Sequence, residues 1–145
     1  MHRFLLLAIL MLLAVGVRAE PWLEKKKTAA SFEDTRDAVV MAIENRGLVI
    51  SYISHIGDML ERTGVDVGAS RQVYGQAQIV EFCSARLSRQ MVERDPHNIV
   101  FCPFAISVYT LPGEPGTWVS YRRPSGAAAE LAEPLLKAIA NEATQ

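Results

Sequence analysis

The residues of this chain with the most specific chemistry are its two cysteines, Cys83 and Cys102. Two thiols in one domain can form a structural disulfide, work as a reversible redox pair, or remain buried and free. A redox pair needs a thiolate of lowered pKa in a partly exposed position, and Cys83 meets that need if it begins a helix. No Cys-x-x-Cys motif is present, so the three interpretations stay open at this point.

A histidine at the end of a β-branched segment, His55, is the second candidate for chemistry. If that segment were a strand parallel to the one ending at Cys83, both side chains would emerge at the same end of a sheet. Such a pair could hold copper, zinc or haem iron. No cluster of ligands at a recognisable spacing accompanies it, so our first interpretation is that the chain has no metal site and no cofactor.

Aromatic and basic residues meet in the segment Tyr121-Arg122-Arg123, three residues after Trp118. Two arginines beside aromatic rings can bind the carboxylate, sulfate or phosphate of a small ligand. Alternate residues of a strand point to opposite faces, so the competing interpretation is one locally paired arginine and one solvated arginine. No serine stands in a nucleophile-elbow context, and we predict no catalytic residue.

The first 19 residues have the composition of a secretory signal peptide. A basic start precedes an apolar run over residues 4–15, and the small residues Val17 and Ala19 occupy the positions that a signal peptidase reads. The run is shorter than the roughly 18–20 apolar residues of a membrane anchor. We therefore expect cleavage before Glu20 and a periplasmic or secreted protein that keeps no membrane segment.

Export changes what the charge and the cysteines imply. The chain has 15 Lys and Arg against 16 Asp and Glu, and two of the basic residues lie in the leader, so the mature net charge is −3. This charge argues against nucleic acid as a partner and offers no polybasic surface for a membrane. In an oxidising compartment an even pair of cysteines is most simply a disulfide, and we predict a bridge between Cys83 and Cys102.

Hydrophobic periodicity predicts a small α+β domain. Residues 20–31 lack apolar periodicity and are expected to form a polar arm. The following elements are predicted in the order helix, strand, strand, helix, strand, strand, helix, which indicates a mainly antiparallel four-stranded sheet packed with helices. The strand over residues 48–56 is apolar on both faces, which predicts a central position. A closing helix within residues 125–145 should pack on the same domain.

Three short motifs between Phe82 and Tyr109 carry a family resemblance. Phe82-Cys83-Ser84-Ala85 ends a predicted strand, Asp95-Pro96 closes the next helix, and Cys102-Pro103 opens the next strand. In this order and spacing they resemble the Phe-Gly-Asn-Pro, Asn-Pro and Leu-Pro motifs of the domain-of-unknown-function 302 (DUF302) family. The resemblance covers residues 32–124, and it implies a compact α+β domain, often dimeric, without an established activity.

The two cysteines are where the chain departs from the family pattern. They replace the glycine and the leucine of two separate motifs, and such a paired replacement is what a disulfide would produce. The resemblance therefore adds support to the bridge and supplies no mechanism.

Together these observations predict an exported, non-enzymatic module that binds a small ligand or a protein partner, as a homodimer. The alternative is a redox-associated or metal-associated periplasmic protein with haem or copper as its cofactor. The candidate ligand-binding residues are His55, Tyr121, Arg122 and Arg123, and the alternative would use Cys83, Cys102 and His55.

Overall fold

Five strands and four α-helices make up the part of the chain that the computed structural model describes, residues 22–145. The predicted leader over residues 1–19 lies outside the described residues. A 3-10 helix, Pro96–Phe101, joins the third α-helix to the fourth strand. In chain order the elements are β1 (Leu23–Thr28), α1 (Phe32–Glu44), β2 (Val49–Ser54), α2 (Ile56–Thr63), β3 (Ala77–Cys83), α3 (Ala85–Arg94), β4 (Phe104–Tyr109), β5 (Thr117–Arg122) and α4 (Ala127–Glu142).

The strands form one sheet in the order β1-β5-β4-β3-β2, and every neighbouring pair is antiparallel. The predicted α+β class with an antiparallel sheet is confirmed. The predicted strand count of four is wrong, because the segment expected to be a polar arm forms a fifth strand.

Strand β1 forms although it has almost no apolar residues. It pairs with β5 along its whole length, from Leu23 opposite Arg122 to Thr28 opposite Thr117. The ammonium groups of Lys25 and Lys27 lie 5.6 and 5.1 Å from the ring centroid of Trp118. Edge strands tolerate charge because one side of the strand faces water, and lysine on an edge discourages pairing with other chains.

Contacts with the segment around β5 hold both ends of β1. The backbone amide of Arg123 donates to the carbonyl of Trp22 at 2.9 Å, and the Arg123 guanidinium forms an ion pair with Glu24. At the other end, the hydroxyl of Thr117 donates to the carbonyl of Ala30 at 2.9 Å. These contacts join segments about 90 to 100 positions apart in the sequence. The periodicity of neighbouring residues gives no information about such contacts.

Two of the described helices, α1 and α3, begin at serines whose side chains cap them. The hydroxyl of Ser31 accepts from the backbone amide of Asp34 at 3.1 Å, and that of Ser84 accepts from the amide of Leu87 at 3.4 Å. Helix α4 continues through Pro134 as a single helix. Among residues 22–145 no helix is both long and apolar enough to cross a lipid bilayer.

One face of the sheet packs against helices α1, α3 and α4 and forms the core. Alternate residues of β3, β4 and β5 reach that face, as the pleat of a strand requires. Short helix α2 contributes no buried residue and lies beside β3. The fully buried side chains of the core include Val39, Ile43, Val80, Phe82, Met91, Ile106, Val108, Val119 and Ile139.

Strand β2 lies at the edge of the sheet, so its predicted central position is wrong. Its apolar residues on the second face are exposed: Val49 is 75% exposed and Tyr52 is 60% exposed. An apolar pattern on two faces is therefore ambiguous, because it also fits an edge strand that presents apolar residues to solvent.

The β1–β5 contact can be tested with a pair of glycine substitutions in the turn before β5. Gly113 (φ +78°) and Gly116 (φ +82°) both have left-handed backbone, which costs an alanine about 1–2 kcal/mol. A Cβ at Gly113 meets nothing within 4 Å, whereas one at Gly116 overlaps the carbonyl of Thr28. Gly116→Ala should therefore lower the free energy of unfolding more than Gly113→Ala does, as measured by urea denaturation.

Hydrogen exchange supplies the second measurement for this pair. Amides of β1 should exchange faster in Gly116→Ala than in Gly113→Ala, because the overlap pushes Thr28 away from β5. Equal stability and equal exchange in the two variants would contradict the pairing of β1 with β5.

Candidate ligand-binding site on the open face of the sheet

The face of the sheet opposite the core carries small, polar and aromatic side chains. Residues that face each other across neighbouring antiparallel strands share one side of the sheet, so the observed pairing defines rows on this face. The central row is Lys25, Ser120, Ser107, Ile79 and Ser54, from β1 to β2. The next row is Lys27, Trp118, Tyr109 and Ala77.

A groove with a volume of about 590 Å³ is lined mainly by residues of this face and also by a few buried side chains, Tyr121 and Leu136 among them. Small side chains, Ala105, Ser107 and Ser120, form its floor, so the backbone of β4 and β5 is close to the surface there. Larger side chains stand at the margins. Tyr74, Ile56 and Leu60 lie towards one end, and Val100 and Phe101 lie towards the other. Small residues over the centre and large residues at the ends make the surface concave.

The groove has one cationic and one acidic side chain among its described lining residues, Arg122 and Glu81. They belong to β5 and β3, two strand spacings apart, which is about 10 Å. Within the described chain Arg122 has no carboxylate at ion-pair distance and is exposed, so its guanidinium is available to a ligand. Lys25 on β1 extends the positive charge on the side of Arg122, whereas the ammonium of Lys27 forms an ion pair with Glu114 at 3.1 Å.

Hydroxyl groups lie in the rows next to the two charges, at Ser107, Ser120 and Tyr109. Burial raises the pKa of Tyr109, and a hydrogen bond with Ser120 opposes part of that shift. The ring of Tyr109 packs edge to face on Tyr74, with the centroids 5.6 Å apart. This packing gives the groove a rigid aromatic wall beside its hydroxyls.

Of the four residues predicted to bind a ligand, Arg122 has its side chain on the open face. Tyr121 points towards the helices and is 2% exposed. Its hydroxyl has no hydrogen-bond partner among the described residues. Burial, followed by the charges of Glu24 and Glu133, raises the pKa of Tyr121 to about 12.

Arg123 is held by ion pairs with Glu24 and with Glu133, the latter at 3.5 Å. The hydrogen bond with Glu24 raises the pKa of Arg123. The structure therefore pairs one arginine locally and exposes the other, since the two follow each other along the chain. Arg123 anchors β1 and α4 and is not free to bind a ligand.

His55 precedes helix α2 and is exposed. Its Nδ1 lies 3.2 Å from Nε2 of Gln78 and 3.7 Å from a carboxylate oxygen of Asp58. The His55/Cys83 pocket required a parallel pairing of the first two predicted strands, and β2 and β3 are antiparallel. Because Gln78 and Cys83 are five residues apart on β3, His55 and Cys83 are separated by about 17 Å.

The described residues also contain no other candidate metal centre. No group of three His, Cys, Asp or Glu side chains within residues 22–145 could hold a metal ion.

The predicted disulfide does not form in the structure, where both cysteines are free thiols. Cys83 follows the core residue Phe82 in β3, so it points to the open face and is exposed. Cys102 packs against the core and donates from its thiol to the hydroxyl of Ser88 on α3, at 3.4 Å. The two side chains are thus directed to opposite faces, although Cys83 ends β3 and Cys102 lies just before β4, the strand that pairs with β3.

Apart from Arg122, the open-face residues of the groove were not predicted from the sequence. The signal that could have found them is the sequence of β4, Phe104-Ala105-Ile106-Ser107-Val108-Tyr109, where large core residues alternate with small or polar ones. Such alternation indicates one buried face and one open face. In β4 this alternation places Ala105, Ser107 and Tyr109 on the open face.

Helices on one side of a five-stranded antiparallel sheet, with a grooved face on the other, define this protein as a two-layer α+β domain. The profile of the family described as "Domain of unknown function DUF302" matches residues 24–145. The chain belongs to the DUF302 family, and the resemblance drawn from its motifs is confirmed. The match includes the β1 segment, which lay outside the stretch covered by that resemblance.

A solved structure of the same family supports the fold. It is the "uncharacterized conserved protein DUF302 from Bacillus stearothermophilus", which is 14% identical in sequence. The two superpose with a TM-score of 0.69 over 87% of this chain and all of the other. None of the curated proteins matches this chain at a significant level.

Alkylation with iodoacetamide should distinguish free thiols from a bridge. The thiolate is the reactive form, and burial, followed by the charges of Cys102 and Glu81, raises the pKa of Cys83. We expect the unreduced protein to be alkylated at Cys83, with a rate that increases with pH and a midpoint above the ~8.5 of an unperturbed cysteine. Mass spectrometry of native protein reads out the modification.

The variants Cys83→Ser and Cys102→Ser separate the two sites. Cys83→Ser should lose the alkylation expected at Cys83, and Cys102→Ser should keep it. An unreduced wild-type chain that resists alkylation and is two hydrogens lighter than the reduced chain would contradict free thiols.

Proposed function

We propose that this protein is an exported, non-enzymatic binding module whose open sheet face binds a small organic ligand with one anionic group. The observation that carries the proposal is the groove over β3, β4 and β5, with Arg122 at its side, which has no carboxylate partner among residues 22–145. Its volume, about 590 Å³, falls in the range of roughly 300–1,000 Å³ that ligand sites usually have.

The lining of the groove suits a ligand that is apolar along most of its length. Aromatic and aliphatic side chains, Tyr74 and Phe101 at the margins and Ile79 in the central row, can cover an aromatic or aliphatic body. The hydroxyls of Ser107 and Tyr109 offer a few polar contacts that would fix its orientation. A mostly apolar site with a few placed polar groups is typical of small-molecule binding.

The charges of the groove indicate where an anionic group would bind. Arg122 can donate two parallel hydrogen bonds to a carboxylate or sulfonate, and Lys25 lies on the same face. Glu81, about 10 Å away on β3, would repel a second anionic group at the other side. A ligand with a single negative end therefore fits better than a dianion with charges at both ends.

Anilinonaphthalene sulfonate is a suitable probe, because it joins an apolar aromatic body to one sulfonate. Wild-type protein should bind it with increased fluorescence. Arg122→Gln should weaken binding about tenfold, which corresponds to about 1.4 kcal/mol for the loss of one charge-assisted contact. Titration of the dye at fixed protein concentration gives the dissociation constants.

Arg86→Gln is the matched control, because Arg86 is an exposed arginine on α3 that does not line the groove. It should bind the dye as wild type does. Equal binding by wild type and Arg122→Gln, or equal weakening by both variants, would contradict a specific role for Arg122.

Export is supported by the sequence of the leader. In a Gram-negative host we expect the periplasmic fraction to contain a chain that begins at Glu20, as measured by the intact mass. The variant Ala19→Arg places a large charged residue at the cleavage position and should leave the leader attached. A full-length, unprocessed wild-type chain in the cytoplasm would contradict export.

We also propose that the module forms a homodimer. The ligand groove is complete within one chain, so ligand binding does not depend on dimer formation.

A further inference from the structure

The two edges of the sheet differ in a property that controls association with other chains. At one edge, β1 carries three consecutive lysines, Lys25 to Lys27. At the other edge, the sequence of β2 is Val-Ile-Ser-Tyr-Ile-Ser, without a charge or a proline. An edge strand has unpaired backbone donors and acceptors, and lysine or proline is the usual protection against pairing. The β1 edge is protected in this way and the β2 edge is not.

The side chains of β2 add apolar surface to this unprotected edge. Val49 is 75% exposed and Tyr52 is 60% exposed, and both lie on the open face, opposite Cys83 and Glu81 respectively. Exposed apolar residues next to unpaired backbone groups are the features of a strand that gains a further neighbour.

We infer that β2 pairs antiparallel with β2 of a second copy of this chain, which joins two five-stranded sheets into one of ten strands. The inference names the interface of the homodimer proposed above and rests on that part of the proposal. In a twofold-symmetric antiparallel pair, both copies contribute the same strand, so the residues of β2 meet the residues of the partner's β2. Like charges directly opposite each other are destabilising, so self-pairing requires an uncharged strand. The lack of charge on β2 thus permits pairing of β2 with β2, whereas the lysines of β1 oppose pairing of β1 with β1.

The symmetric arrangement has a consequence for the open face. With the twofold axis perpendicular to the sheet, the open faces of both copies lie on the same side. Val49 and Tyr52 of one copy then approach the same residues of the other, and the two grooves face the same direction on one continuous surface. Exposed apolar area at the edge becomes covered without any change in the core.

The size of the contact indicates a reversible dimer. Strand β2 has six residues and a register shift between Ile50 and Tyr52, where the hydroxyl of Ser51 donates to the carbonyl of Glu81 at 3.1 Å. Such a bulge bends the edge and interrupts a ladder of hydrogen bonds. A contact of this length is smaller than the ~800 Å² per partner of a standard stable interface. We therefore expect association that depends on concentration.

Sedimentation velocity of the mature chain, from about 1 µM to about 1 mM, measures this association. Wild type should shift towards twice the monomer mass as the concentration increases. Tyr52→Lys and Val49→Lys should each raise the dimer dissociation constant at least about tenfold, because each introduces two like charges, one per copy, into a short apolar contact. Tyr52→Lys should be tolerated in the monomer, since Glu81 lies directly opposite and can pair with the new charge.

Val65→Lys is the matched control, because Val65 is 89% exposed after helix α2 and away from β2. It makes the same change of charge and should dimerise as wild type does. Circular dichroism and melting temperature establish that each variant is folded, and Val49→Lys serves where Tyr52→Lys fails that check.

Each outcome decides a different point. A wild type that stays monomeric at every concentration overturns both this inference and the homodimer, while dye binding at Arg122 is unaffected. A dimer that persists in Tyr52→Lys and Val49→Lys overturns the β2 interface and leaves the homodimer. Equal weakening of dimer formation by Tyr52→Lys, Val49→Lys and Val65→Lys also overturns the β2 interface, because the change in net charge alone would then explain the effect.

Discussion

One face of the sheet is buried against three helices, and this burial determines how the other parts of the domain are arranged. Val80, Phe82, Ile106, Val108 and Val119 are fully buried on that face. Each side chain of this size contributes about 1.5–3 kcal/mol relative to exposure. Because successive residues of a strand point to opposite faces, these five positions also determine which residues reach the open face. A shift of one residue in any of these strands would bury serines and charges, so the register is strongly specified.

The open face follows from this constraint and is free to vary in chemistry. Its residues contribute little to the core, so serine, alanine and arginine are tolerated at positions between buried apolar ones. The small residues Ala105, Ser107 and Ser120 leave space above β4 and β5, and aromatic side chains close the ends. A concave surface therefore arises from the alternation that builds the core, and the position of Arg122 gives that surface its charge.

The fold separates the residues that were expected to share a site. His55 and Cys83 are separated along antiparallel strands, Tyr121 is buried, and Arg123 is used in ion pairs with Glu24 and Glu133. Cys83 ends β3 and Cys102 lies just before β4, yet one side chain faces the open side and the other packs near Ser88. Residues that looked like a set in the sequence thus have separate structural roles.

Features that depend on nearby residues could be predicted from the amino-acid order. Helix starts at Ser31 and Ser84 are set by hydroxyls that accept from amides three residues ahead, and the α+β class follows from local periodicity. The family motifs were also visible in the residue order. Three features became clear only from the folded chain: β1 is a strand, β2 is an edge and the thiols face apart. These features depend on pairing between distant segments, such as Glu24 and Arg123, which are 99 positions apart. A local pattern shows that a segment can be a strand, but the packing of the whole sheet selects its neighbour.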